Sequence, residues 1–489
     1  METYFSDYFS VEPEALEAYG AFNVSLITDL PLFVDPFLLF TSEKAEYQEL
    51  HEQIIRYLIF LRDRAQPDAI NPGLLDAWYR FKEVKQNWFG FTRSGNSGSG
   101  LGRDFAVALH QNLHRLFSNF GEEQITKGSH LEKLCLIKEG VGRDNISDFA
   151  TNLIKEFLCE YTQTFARKYV AAHQRRTVPV PKAAFDYGLE TWVTKRFELP
   201  WTGSDYVLLT PKDILTKDDT WINKSDLIDD FTALPSAIPD AELREQISNY
   251  FKKVLVTRRG KRPTRQEMSE ATRSTILEFP QLIDYFIRYK EENGERAVSL
   301  SSSKVQQSED LYIERIKRLQ EALAQETEFY SVPGNTYAEC HERLAYLKDI
   351  IENKGGFRIF YVDGEPIQRE EDLQVMYRLV WFGTPSDVSR EVNDGRGPAD
   401  FKVSRGSKDK TIVEFKLAKN TQLERNLQKQ AEVYQKASDA KRAIKGILFF
   451  TRPELLRVQR ILKRLGLTGH RDIVLIDARR DNKPSGSKA

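Results

Sequence analysis

GRGPADFKVSRGSKDKTIVEFKLAKN, residues 395–420, reads as two short strands around a polar turn. Side chains alternate across a strand. Ile412, Glu414, Lys416 and Ala418 therefore share one face, and Val413, Phe415 and Leu417 share the other. The second set is apolar and suits a core, so Glu414 and Lys416 project together on the opposite side. Folding the hairpin about Ser407 pairs Val403 with Thr411, Phe401 with Val413 and Asp400 with Glu414. Opposed residues have Cβ atoms about 4.5–5.5 Å apart, and like charges at that spacing destabilise a sheet unless something compensates. A divalent cation is the obvious compensator, and hard carboxylate oxygens suit Mg²⁺. Lys416, one strand step on, could orient or help deprotonate a water and balance charge on a phosphate. That arrangement fits metal-assisted hydrolysis of a phosphodiester. The plainer account is an exposed hairpin with surface ion pairs, which is what most short Asp…Glu-x-Lys patterns are.

Working outward, the neighbouring elements come in a definite order. Residues 369–382 form an amphipathic helix with Leu373, Met376, Tyr377 and Val380 on one face. Residues 387–392 are a strand candidate before the hairpin. A helix over 421–440 follows, with capping-box spacing at Thr421 and Glu424 and an apolar side of Leu423, Leu427, Ala431 and Tyr434. A buried strand (443–451), a helix (452–466) and a last strand (472–478) complete an α-β-β-β-α-β core with an added α-β. On the 421–440 helix, Gln430 and Tyr434 stand at i and i+4, on one face.

The set Pro398-Ala399-Asp400, Glu414-Phe415-Lys416 and Gln430…Tyr434 resembles the PD-(D/E)XK nuclease superfamily, and more narrowly its RecB-like members with a QxxxY helix. The resemblance spans roughly residues 357–480. It implies a restriction-endonuclease-like αβββαβ core, a mixed central sheet flanked by helices. It implies Asp400 and Glu414 as Mg²⁺ ligands (Mn²⁺ substituting), with the Phe415 carbonyl as a backbone ligand. Lys416 is implied as the water-positioning or charge-stabilising residue, and Gln430 and Tyr434 as accessory. The family often adds an acid from the helix before the first strand. Glu371 is the first choice, Glu370 or Asp372 if the helix phase differs, and Glu391 a further candidate. The alanine between Pro398 and Asp400 departs from the closest pattern. The activity implied is hydrolysis of DNA, with RNA and a catalytically silent nucleic-acid-binding or assembly module as alternatives. Composite architecture of this kind is similar to antiviral (anti-phage) defence effectors, with a protein partner or phage trigger sensed through the N-terminal domain. A homo-oligomer would suit double-strand cleavage.

At 489 residues the chain is expected to hold two or three domains. We divide it into an α-rich mixed domain (1–250), a basic and helical connecting region (251–355) with a linker near 295–310, and the C-terminal domain (356–489). Residues 401–489 carry 22 Lys and Arg against 9 Asp and Glu, on a chain whose net charge is −1. That asymmetry suggests a polyanion near the C-terminal end. The three cysteines form no CxxC, which argues against a disulfide framework or a cysteine zinc site. METYFSDYFS lacks the basic and apolar regions of a signal peptide, and no apolar run approaches the ~18–20 residues of a membrane span. A cytoplasmic protein without a membrane partner is expected.

The N-terminal region offers weaker signals. Residues 46–65 and 146–172 read as helices and 204–210 as a strand. A Gly/Ser-rich loop precedes His110 and His114, whose i,i+4 spacing is zinc-like but lacks the supporting glutamate or cysteine. Arg143, Asp144 and Asp148 cluster near a helix start, where Asp144 or Ser147 suits an N-cap. TRRGKRPTR (257–265) could grip phosphates.

Overall fold

The computed structural model describes residues 3–65, 71–90, 101–102, 106–107, 109–110, 113, 120–137, 141–217, 219–232, 234–255, 263–330, 335–381, 387–389, 401–405, 409–428 and 442–483. The side chains of 237, 387–389, 402, 404, 405, 410 and 442 are not among those described. The chain is mixed α/β. Its N-terminal part is helical around α1 (Ala45–Arg64), α2 (Arg143–Leu153) and α3 (Lys155–Tyr169). The single helix expected over 146–172 is broken at Ile154, whose backbone (φ −99°, ψ 15°) leaves helical geometry. A long antiparallel ribbon, β1 (Arg175–Asp186) and β2 (Thr191–Pro200), follows. Its sequence drew no strand assignment. Pro179 and Pro181 are tolerated because each strand of a two-stranded ribbon keeps an open edge, where a missing N–H costs no ladder bond.

Residues 204–210 do not form the expected strand. Val207, Leu208 and Leu209 are fully buried, which explains the apolar signal. Their N–H groups go to scattered partners: the Pro200 and Gln86 carbonyls and the Thr162 hydroxyl. Burial without a neighbouring strand gives extended chain instead of a ladder.

Helices α4 (Ala241–Val254), α5 (Arg265–Glu278) and α6 (Leu282–Glu292) lead into α7 (Gly294–Glu309). The linker expected near 295–310 is this helix. One π-helical turn, Asp310–Glu314, carries it on into α8 (Arg315–Glu326). The buried face of α7 is Gly294, Ala297, Ser301, Val305 and Ser308. Small residues at helical spacing let the backbone approach its neighbours closely. A Cβ on Gly294 would sit 2.6 Å from the Thr41 hydroxyl. The serines that read as loop composition are thus the packing seam.

The C-terminal part holds α9 (Thr336–Asn353), α10 (Glu370–Trp381), β3 (Asp387–Ser389), β4 (Phe401–Arg405), β5 (Asp409–Leu417), β6 (Arg442–Phe449), α11 (Arg452–Arg464) and β7 (Ile473–Asp477). They build a five-stranded mixed sheet in the order β7-β6-β5-β4-β3. The pairs β3/β4 and β4/β5 are antiparallel, and β5/β6 and β6/β7 are parallel. The hairpin has the expected register, with Val403 opposite Thr411 and Phe401 opposite Val413. Between β5 and β6, residues 423–428 are helical, and the rest of the expected 421–440 helix lies outside the described residues.

Helix α9, which the sequence put in the connecting region, spans one face of the sheet. Thr336 at its start bonds Asp409 of β5 at 2.7 Å, and Glu352 near its end accepts from Asp477 of β7 at 2.8 Å. Helix α10 covers the same face beside it. Its Tyr377 ring stacks on Phe415 with 3.5 Å between centroids and 10° between planes. The other face is covered by Leu423 and Leu427 and by Val458, Ile461 and Leu462 of α11, packed on Ile447 and Phe449. Among the described residues no helix is long and apolar enough to cross a membrane.

Phe415 is pressed between Tyr377 and the bare backbone of Gly446, its register partner on β6. A Cβ at Gly446 would stand 2.7 Å from two Phe415 ring atoms. Gly446→Ala should therefore destabilise the fold by about 1–3 kcal/mol, the usual range for overpacking. Urea unfolding checks this. An unchanged midpoint would show that the ring has room to move.

Candidate functional site

Strand β5 carries the site because its two faces have different work. Thr411, Val413, Phe415 and Leu417 are buried, while Ile412, Glu414 and Lys416 are half-buried on the opposite face. The alternation expected from the sequence is the alternation observed. Lys416 and Glu414 therefore leave the strand on the same side, two residues apart.

Glu370, the first residue of α10, reaches the end of β5. Its Oε1 accepts from the Leu417 backbone N–H at 3.1 Å and from the Asn420 amide at 2.6 Å. Its Oε2 lies 3.5 Å from the Lys416 ammonium. Of the three adjacent acids left open by the sequence, Glu370 is the one that meets Lys416. Glu371, the first choice, is exposed. Asp372 turns inward, paired with Lys217 at 3.4 Å and with the Tyr312 hydroxyl. The helix phase is set by Tyr377, seven residues on from Glu370. Two helical turns separate them, so they share a face.

Glu414 has its own cation. The Lys445 ammonium of β6 lies 2.8 Å from Glu414 Oε2. The two residues are register partners in the parallel β5/β6 pair, so the contact follows from strand pairing. Lys445 also donates to the Asn426 carbonyl at 3.4 Å. Lys445 was not among the site residues expected from the sequence. Its signal was a charge inside the otherwise apolar run AIKGILFF (443–450), which needs a partner if the strand is buried. The strand end is anchored by Arg457 of α11, which donates to the Ala418 and Asn420 carbonyls at 2.9 Å each.

Asp400, Gln430, Tyr434 and Glu391 lie outside the described residues. Among the described residues no group of three or more His, Cys, Asp or Glu is assembled to hold a metal. The donor chemistry nevertheless suits a hard cation. Glu414 offers a carboxylate next to the Phe415 backbone carbonyl, and a positive group already stands against that carboxylate. Among the described residues, a Mg²⁺ ion here would find the Glu414 carboxylate and the Phe415 carbonyl.

The N-terminal candidates resolve into structure. His110 is buried, with its Nδ1 3.1 Å from the Tyr79 hydroxyl, and His114 lies outside the described residues. Helix α2 is N-capped by Gly142 instead of Asp144 or Ser147, and the Ser147 hydroxyl accepts from the Val34 N–H at 2.9 Å. The basic run 257–262 lies outside the described residues, and Thr264 caps α5 in a box with Glu267.

Residues 10–223 match a domain of unknown function, DUF8370, and residues 336–452 match a second, DUF8371. No curated protein and no solved structure matches the chain. The second match begins at the first residue of α9 and takes in Glu370, Glu414, Lys416 and Lys445.

Asp148 gives a pH test of the N-terminal packing. Burial, together with Glu83, Asp144 and Asp29, pushes its carboxyl up to about 8. An unfolded aspartate releases its proton near pH ~4. Between these values the folded state holds one more proton than the unfolded state, so stability falls as pH rises from about 4 to about 8. Asp148→Asn should remove that fall and gain on the wild type between pH 5 and pH 9 in denaturation experiments. A stability difference independent of pH would count against the shift.

Proposed function

We propose that the chain is a Mg²⁺-dependent nuclease that hydrolyses phosphodiester bonds of DNA through its C-terminal domain. The observation that carries this is Glu414 and Lys416 side by side on the charged face of β5, with Glu370 at the lysine and core packing behind. The element order α10-β3-β4-β5-β6 around that face supports a restriction-endonuclease-like core. The basic C-terminal region supports a polyanionic substrate. The role in antiviral defence rests on the resemblance alone.

In this proposal Asp400 and Glu414 hold the cation, with the Phe415 carbonyl beside them. Mg²⁺ bound there supplies Lewis-acid polarisation and charge neutralisation at the phosphate. Lys416, its ammonium oriented by Glu370, positions the attacking water and offsets charge on the phosphate. Glu370 is a positioning residue for Lys416 because its carboxylate is already engaged by Leu417 and Asn420. Gln430 and Tyr434 keep in this proposal the accessory role that the resemblance implies.

A catalytically silent nucleic-acid-binding module is favoured by one fact: Glu414 and Glu370 each already have a lysine. Cleavage assays on plasmid DNA, linear DNA and RNA, with Mg²⁺ and with EDTA, separate the two. Mg²⁺-dependent cutting of DNA by the wild type is expected. Asp400→Ala and Lys416→Ala should each lower it by at least about 100-fold, the scale of losing a charge-stabilising group. Wild-type rates in either variant would remove that residue from the site. Salt-sensitive binding without cutting under any metal would select the binding module.

A further inference from the structure

Lys445 is an expensive residue in its position. It lies on β6, an interior strand of the five-stranded sheet, in the run Ile444-Lys445-Gly446-Ile447, and its side chain is 6% exposed. Burying an ammonium costs several kcal/mol unless a partner offsets it. Its partner is Glu414, the acid on which the proposed metal site depends, and no loop or rotamer accident brings them together. Parallel pairing of β5 and β6 puts the two residues in register. The ammonium stands 2.8 Å from the carboxylate, on the β6 side of Glu414, and competes with any other cation for that carboxylate. It also has a second acceptor within reach, the Asn426 carbonyl at 3.4 Å. A lysine displaced from Glu414 would keep a hydrogen bond there and would not be stranded.

We propose that Lys445 is a built-in stand-in cation: it neutralises Glu414 in the metal-free chain and is displaced when a divalent cation arrives, so that the site needs more free metal to load than Glu414 alone would. This rests on the metal-dependent reading of the site and adds its regulation. The device has two consequences. The metal-free fold is stabilised, because the half-buried Glu414 carboxylate is not left without a cation on the central strand. Metal affinity is lowered, because the cation must displace an internal charge.

The test is calorimetric titration of Mn²⁺ into the full chain, as wild type, Lys445→Met, Lys445→Arg and Glu414→Gln. Removing a unit positive charge a few ångströms from the ligand should tighten Mn²⁺ binding by at least about tenfold in Lys445→Met. Lys445→Arg should behave like the wild type, and Glu414→Gln should lose binding. Melting temperatures give a readout independent of any activity. Lys445→Met should melt lower than the wild type in EDTA and gain more from added Mn²⁺, as linkage requires. If Lys445→Met folds poorly, Lys445→Gln keeps a donor for Asn426 and tests the same charge. Unchanged or weaker Mn²⁺ affinity in both neutral variants, with Glu414→Gln still losing binding, would overturn the stand-in role and leave the metal site intact. Absence of Mn²⁺ binding in the wild type and in every variant would overturn the metal site, and the stand-in role with it.

Discussion

The Phe415 ring is held between Tyr377 on one side and the backbone of Gly446 on the other. That contact fixes two things at once. It locks the odd-numbered side chains of β5 inward, and a strand has only two faces, so Glu414 and Lys416 must point the other way. It also sets the rotation of α10 about its axis. Glu370 lies two helical turns before Tyr377, and the same rotation brings its carboxylate to Lys416, Leu417 and Asn420. One ring stack thus orients both the strand and the helix that supply the charged groups.

The electrostatics follow from that geometry. Four half-buried or buried charges meet around the end of β5 as two pairs, Glu414 with Lys445 and Glu370 with Lys416. Exposed ion pairs contribute little, but pairs this far withdrawn from water are costly to break, since the survivor is left without solvation. The pairs differ in origin. Glu414 and Lys445 are strand neighbours, whereas Glu370 and Lys416 meet only because a helix packs on the sheet.

The N-terminal mass is joined to this region through α10. Asp372 is held by Lys217 and the Tyr312 hydroxyl, and the Leu379 carbonyl accepts from Gln320 of α8 at 2.7 Å. Tyr312 and Gln320 belong to the run of helix and π turn that starts at Gly294. A Ser-rich stretch that composition alone marks as linker is the beginning of a continuous helical element that packs on α10. Composition misleads there because small polar residues serve equally in loops and in close helix contacts. Position along the helical period tells the two apart.

The hairpin was legible without the fold. Its register and the opposite faces of Val413, Phe415 and Leu417 and of Glu414 and Lys416 follow from a period of two and a polar turn, both local properties. The order of helices and strands after residue 369 was legible for the same reason, since each element carries its own hydrophobic period. Local information could not choose among Glu370, Glu371 and Asp372. Adjacent helix residues differ by about 100° around the axis, and only the stacking of Tyr377 on a strand almost forty residues away sets the phase. Nor could it pair Lys445 with Glu414, because a parallel register is made across a crossover and no turn encodes it. The chain alone determined which face of β5 is charged. Tertiary packing decided which groups that charge meets.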